Sequence, residues 1–467
     1  MELSISYALR MAATAGLLAA LPSRLTAQQA DTLPARNLSE AFKKGSFGGH
    51  FRSFFMATDN ARQLSDYYAW AAGGAFSFQT ASLHGFSIGA EASFAFNLSS
   101  SDLAARDSST GAANRYEIGL FDLQEPENRR DLRRLEALWL RYERKNLKAT
   151  LGRQALQTPF INKQDGRMNP SAEEGLWLEA RPGKRLSLEG GWLWRMAPRS
   201  TFRWVKVEES FGLYPRGLNA DGTPAGYAGH VSSSGIGMLG MRWNPGRRTK
   251  LQLWEQMVDR VFNTVFLQVE HNIPLRNGHR LQLGLQALRQ DALADGGNAD
   301  PALAYFKKDG HSHAFSAEIG WKRGAWQAAA AYTHITSEGR YLAPREWGRD
   351  PFFTFMPRER MEGSGNSHAA TLQLGWQPRG GKFRSEITYG HFYLPELTDF
   401  TLNKYAFPSY RQLNLDLRYT LSGWLKGLQA HVLLVYKGRM GGTYGNDKFV
   451  INKVDMLQYD LILNYRF

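Results

Sequence analysis

The last nine residues, Tyr459-Asp460-Leu461-Ile462-Leu463-Asn464-Tyr465-Arg466-Phe467, restrict the fold of this chain more than any other stretch. Tyr459, Leu461, Leu463, Tyr465 and Phe467 fall on one face of an extended strand. Asp460, Asn464 and Arg466 fall on the other, with Ile462 the single apolar residue among them. Period-two alternation of this kind suits a strand with an apolar medium on one side and water on the other. Soluble sheets alternate too, but they rarely end the chain on an aromatic strand.

The same rhythm recurs upstream. Alternation and turn chemistry give eighteen candidate strands, from 47–57 to 455–467, among them 230–245 and 311–323. Short connectors such as Pro245-Gly246-Arg247, Arg323-Gly324 and Pro378-Arg379-Gly380 carry turn residues. They alternate with long polar ones near 99–132, 157–173, 198–229, 292–310, 337–364, 394–408 and 439–454, with brief connectors on the long side near 58–65 and 260 as exceptions. A soluble sheet has no reason to sort its loops in this way. A membrane barrel with both termini on the periplasmic side does. Trp243, Trp321, Trp326 and Trp376 flank short turns, where an interfacial aromatic belt is expected. The expected fold is therefore all-β: a transmembrane antiparallel barrel of about eighteen strands with inward-folded loops.

Composition narrows the alternatives. No apolar run reaches the roughly 20 residues of a spanning helix. Met11 to Leu21, followed by a polar stretch containing Ala27, reads as a secretory signal over 1–27, leaving a short periplasmic lead-in at 28–45 and a barrel over 46–467. With no cysteine in the 467 residues, disulfides and thiolate metal sites are excluded. The formal charge of +14 suggests nucleic acid, but no basic tail or nucleic-acid motif accompanies it. The basic residues are spread singly along alternating strands, which places many of them in a lumen that attracts anions. No cofactor is expected and no metal site.

Eighteen strands enclose a lumen too wide for wall side chains to fill, so inward loops must set the bore. Alternation turns Arg52, Arg141, Arg195, Arg384, Arg418 and Lys437 inward, together with Lys148, Arg242 and the carboxylates Glu91, Glu179, Glu189, Glu318, Glu386 and Asp416. Some of these charges must pair with one another. The cation surplus predicts a basic track that eases passage of anions. The connector Thr158-Pro159-Phe160-Ile161-Asn162-Lys163-Gln164-Asp165-Gly166-Arg167-Met168-Asn169-Pro170 is the candidate constriction loop.

The C-terminal strand resembles the signature read by the barrel-assembly machinery of bacterial outer membranes, with Phe467 as the terminal contact. Leu138-Trp139-Leu140-Arg141-Tyr142, Leu151-Gly152-Arg153-Gln154, Thr158-Pro159-Phe160 and Asp165-Gly166-Arg167-Met168-Asn169-Pro170 with Gly175 resemble the OprD-type porin family. Gly49-His50-Phe51-Arg52-Ser53-Phe54-Phe55-Met56 and Asp66-Tyr67-Tyr68-Ala69-Trp70 are similar to it as well. The likeness is densest over about 45–185. It implies an eighteen-stranded, substrate-selective channel of the outer membrane, in contact with its lipid and lipopolysaccharide. It also implies a ladder of arginines guiding small anionic or zwitterionic solutes, carboxylate-bearing ones foremost. Carried over by motif, Arg52, Arg141 and Arg153 are pore-lining, and Asp165, Arg167 and Pro170 belong to the constriction loop. Arg153 conflicts with its own strand phase, which it shares with Leu147, Ala149 and Leu151, unless a bulge at Gly152 redirects it.

Gly85-Phe86-Ser87-Ile88-Gly89 spells a nucleophile elbow, but Phe86 and Ile88 continue the alternation of Ala90, Ala92 and Phe94, so Ser87 belongs to a regular strand. His311-Ser312-His313 lacks a carboxylate cluster to complete a metal site. The run Glu125 to Arg134 reads as an exposed loop. The competing function is an outer-membrane barrel hydrolase, protease or lipase, acting through Ser87 or His50. A receptor or adhesin role for the long loops is a third reading.

Overall fold

A computed structural model describes residues 34–467 other than residue 165. The expected signal over 1–27 lies outside these residues. In the lead-in, Leu38–Lys43 form a short helix, α1, capped by the Asn37 side chain, which accepts the Glu40 N–H at 2.9 Å.

The sheet begins with β1 (Ser46–Asp59), β2 (Tyr67–Gln79), β3 (Phe86–Ser100), β4 (Leu132–Arg144), β5 (Leu147–Gln154), β6 (Ala172–Gly183) and β7 (Leu186–Ala197). A two-residue strand, β8 (Val205–Lys206), precedes β9 (Ile236–Trp243), β10 (Thr249–Val258), β11 (Phe262–Pro274) and β12 (Arg280–Ala292). There follow β13 (His311–Arg323), β14 (Trp326–Ile335), β15 (Ser367–Trp376), β16 (Phe383–Tyr393), β17 (Tyr410–Thr420), β18 (Leu428–Arg439) and β19 (Met456–Arg466). Neighbours pair antiparallel, β7 reaches past β8 to β9, and β19 returns to β1. Eighteen long strands thus close on themselves. Closure satisfies every ladder hydrogen bond without water, as a hydrocarbon surround demands.

The seam shows how the C-terminal strand completes the wall. His50 opposes Arg466 and Ala57 opposes Tyr459 in an unbroken register. Beyond it, Phe467 N–H donates to the Gly49 carbonyl at 3.2 Å, and the Phe467 ring packs against Phe47, Phe51 and Phe76. Gly49 is small for a reason: a Cβ there would lie 2.4 Å from the Ala75 carbonyl oxygen and 2.8 Å from the Phe467 ring.

The two faces invert the order of a soluble protein. Leu239, Leu285 and Leu372 are 66%, 64% and 61% exposed on the outside. Such a continuous apolar surface is stable only against lipid. Trp326 and Trp376 approach to 6.2 Å at the short-turn rim, and Trp321 Nε1 donates to His279 there. Inside, Ile462 of the terminal strand is buried with Phe54, Leu120 and Phe121, because a loop packs on it. One expected strand is shorter than predicted: 230–245 begins at Ile236. Ahead of it, Ser234 bonds Asp259 through both backbone N–H and hydroxyl, which holds the segment out of the ladder. Among the described residues no helix is long and apolar enough to cross a membrane.

Candidate functional site

Loops fill much of the lumen, and the wall is built to hold them. The segment 336–366 between β14 and β15 is tied to the wall at many points. Gln286 donates to the Pro351 carbonyl, Thr333 bonds Thr354, and Ser316 accepts from Phe353 N–H. Gln412 and Asn414 both donate to the Pro357 carbonyl at 2.8 and 3.1 Å, and Lys437 Nζ to the Arg358 carbonyl at 2.6 Å. Finally the Arg358 guanidinium pairs with Asp460 and donates to Gln458 on β19. Lys437, expected from alternation to line the pore, is thus a loop anchor as well.

The predicted constriction loop also folds inward. Arg52 holds it from β1, donating to the Arg167 carbonyl at 2.5 Å and to Asn464 at 2.7 Å. Arg134 is its second support. It is buried against Glu136 at 2.6 Å and donates to the Pro170, Thr201 and Pro198 carbonyls. Arg134 thus departs from the exposed run expected over Glu125 to Arg134, because a bulge between β3 and β4 turns it and Glu136 into the lumen. Asp165 falls outside the described residues.

Between these loops lies a cavity of about 260 Å³, lined by Arg115, Arg167, Arg199, Arg345, Arg349, Arg358, Arg360, Arg418 and Lys437. Its carboxylates are Glu359, Glu362, Asp416 and Asp460. Three of the four are already paired. Asp460 pairs with Arg358, Asp416 with Arg418 and His431, and Glu362 with Lys404 and the Tyr405 hydroxyl. Burial, and then the neighbouring Asp350, hold the Glu359 carboxyl well above the usual carboxylate range, favouring its neutral acid. Arg115, Arg167, Arg199, Arg345, Arg349 and Arg360 are left with no carboxylate ion pair among the described residues. Burial pushes Arg199 down to about 10, and Arg167 lower than usual, with Arg358 and Arg199 adding to the penalty. Guanidinium remains charged all the same, so these groups form a cationic cluster that an anion would relieve. Nε of Arg115, Arg199 and Arg345 and Nη1 of Arg360 are buried without an acceptor. Tyr116, Tyr214, Tyr405, Phe355 and Phe407 give the cavity aromatic faces.

The sequence-predicted residues divide accordingly. Arg167, Arg418 and Lys437 line the cavity. Arg52 and Pro170 support it. Arg141 faces the lumen away from the cavity, 3.9 Å over the Trp139 ring, and Arg384 is held by Glu386 at 2.7 Å. Wall charges elsewhere cancel in the same way: Lys148 pairs with Glu179, and Arg242 with Glu189.

Arg153 and Arg195 are corrections. The β4–β5 register runs unbroken from Arg144 opposite Leu147 to Leu138 opposite Arg153, so Gly152 makes no bulge despite its φ of 115°. Arg153 therefore shares the outer face of Leu138. Arg195 opposes Glu174 beyond a bulge at Trp194, which reverses its phase and turns it outward too. Simple alternation missed that inserted residue.

The arginines missed by sequence reading sit mostly in Pro344-Arg345-Glu346-Trp347-Gly348-Arg349-Asp350-Pro351 and Pro357-Arg358-Glu359-Arg360. Proline-bracketed arginines beside aromatics, within the longest connectors, were the available signal. Ser87 stays within β3, opposite Arg141 and without a strand-to-helix turn. Among the described residues no group of histidines and acids could hold a metal ion.

The family model described as outer membrane porin, OprD family, matches residues 41–354. No curated protein sequence matches the chain. Among solved structures, Pseudomonas aeruginosa OpdK with vanillate is similar at TM-score 0.70 and 15% identity, covering 91% of this chain and 99% of that one. Acinetobacter baumannii OccAB2 is similar at TM-score 0.70 and 14% identity, over 92% and 99%. Pseudomonas aeruginosa OccK9 (OpdG) is similar at 0.69 and 16%, over 91% and 99%.

Proposed function

Because the chain belongs to the OprD family of outer-membrane porins, we propose that it passes small carboxylate-bearing solutes by passive diffusion through its basic constriction. The observation that carries this is the balance of the cavity: six arginines without a carboxylate partner among the described residues, against four carboxyl groups that are paired or neutral. A carboxylate entering the vestibule exchanges hydration for guanidinium contacts, which match its two oxygens in a planar fork. Because several arginines lie along the cavity, no single one need hold the solute, and release stays fast. Tyr116, Tyr214 and Tyr405 offer apolar faces to a solute body. Vanillate, named with one similar structure, is an aromatic carboxylate, which accords with this chemistry. Arg167 is one of those six and Lys437 adds a cation to the lining, whereas Asp416 and Glu386 neutralise Arg418 and Arg384, and Arg141 lies elsewhere on the lumen wall. No observation favours the hydrolase reading.

The test is the reversal potential of the purified channel in a planar bilayer under a potassium chloride gradient, followed by competition with benzoate and with benzyl alcohol. Chloride should carry more current than potassium, and benzoate alone should block at millimolar concentration. Cation preference, or equal block by the alcohol, overturns the reading.

A further inference from the structure

The outer wall carries a charged row where hydrocarbon contact alone is expected. Arg153, Glu174, Arg195 and Lys206 are successive lateral partners across β5, β6, β7 and β8. At the spacing of neighbouring strands the row is roughly 14 Å wide. It shares the face of Leu138 and Leu151, each 48% exposed, and lies at the ends of β5 and β7 that enter the long connectors. That end faces the outer leaflet.

Its groups are arranged rather than loose. Arg153 Nε meets Glu174 at 3.0 Å, and Trp194 Nε1 donates to the other oxygen of the same carboxylate at 3.3 Å. Trp204 Nε1 donates to the Leu135 carbonyl at 2.9 Å, which lays its ring on the wall beneath the Arg153 guanidinium, 4.8 Å away. Arg195 donates to the Trp204 carbonyl at 2.9 Å, and among the described residues it has no carboxylate partner. Lys206 Nζ meets Glu208 at 3.6 Å and in an exposed position, where the pair is weak. Cations on the lipid face destabilise a barrel unless they reach headgroups. Tryptophans mark that same depth.

We propose that this row is a binding site for a phosphate-bearing lipid of the outer leaflet, with Arg195 and Lys206 holding the phosphate and Trp194 and Trp204 seating the sugar and upper acyl region. Arg153 is balanced by Glu174 and positions Trp204. The apolar wall below accepts the chains.

The test places the purified barrel in phosphatidylcholine nanodiscs with bis-phosphorylated lipid A or with its dephosphorylated form, and counts retained lipid by native mass spectrometry. The wild type should retain the phosphorylated lipid preferentially. The double variant Arg195→Gln/Lys206→Gln should retain it about thirty-fold less, at about ten-fold for each 1.4 kcal/mol and about 1 kcal/mol per cation. Glu174→Gln, which raises the local charge, should retain more. Arg289→Gln removes an outward arginine that Asp291 already holds at 2.8 Å, and it should change nothing. Equal retention of the two lipids, an unaffected double variant, or an equal loss in Arg289→Gln overturns the site. So does dissociation of an oligomer in the double variant, which would make this wall a contact between copies.

Discussion

Replacing Arg358 by Gln removes the side-chain strut between the 336–366 loop and the seam strand. Both partners are nearly sealed from solvent, at 8% exposure for Arg358 and 1% for Asp460. Breaking one partner of such a buried pair costs about 3–5 kcal/mol, since the other charge stays behind uncompensated. Three neighbouring anchors survive, from Lys437, Gln412 and Asn414 to the carbonyls of residues 357 and 358. At about 1 kcal/mol net each, they match the lower end of that loss. The loop should therefore remain folded yet leave its seat more often. A loss of about 3 kcal/mol raises the open population by roughly a hundred-fold. In single-channel recordings, Arg358→Gln should add a larger, flickering conductance state absent from the wild type. Asp460→Asn alone should do the same more weakly, because Gln458 still accepts from Arg358 at 2.5 Å. The double variant places two neutral amides together and should recover most of the quiet trace, with a coupling of about 1–3 kcal/mol. A steady wild-type conductance in Arg358→Gln, or strictly additive effects in the double variant, would falsify the strut.

Further consequences concern charge, pH and closure. Arg199→Glu should lower the chloride-to-potassium permeability ratio several-fold, whereas Arg153→Glu should leave it unchanged, because Arg153 points to the membrane; the reverse pattern in reversal potentials removes the assignment of faces. Glu359 has an ordinary value of 4.5 and is raised well above it by burial. Loop packing that depends on its neutral form is thus at full strength below about 4.5 and weakens as pH rises through the raised value. Anion preference should fall over the same window, and Glu359→Gln should flatten that step in a pH series; an unchanged profile excludes Glu359 as its source. Gly49→Val should lower the fraction of barrel that resists heating in detergent gels, by about 1–3 kcal/mol in stability, because its Cβ meets the Ala75 carbonyl and the Phe467 ring. Wild-type heat resistance would mean that the seam has slack.

The wall was legible in this sequence because a closed membrane sheet has one dominant rule. Outward positions at hydrocarbon depth are apolar, with charges left to the rims, so Leu413, Leu415 and Leu417 declare the phase of β17 without help from any neighbour. The phase fails where one residue is inserted, and Arg195 shows it: the bulge at Trp194 leaves no compositional mark, yet it moves a cation from water to lipid. The interior follows no comparable rule. Gln412 and Asn414 look like ordinary lumen polarity, but they serve as acceptor-matched pegs for the Pro357 carbonyl 55 and 57 residues away. Pairing of this kind depends on how a loop folds back, and loop conformation is set by many weak bonds rather than by a period. On the function proposed above, the selectivity of the channel arises from a subtraction that alternation cannot perform. Wall cations such as Lys148, Arg242 and Arg384 neutralise wall acids, and the field a solute meets is the remainder left by loop arginines. That division also frees evolution to change the solute by altering loops while the wall keeps its register.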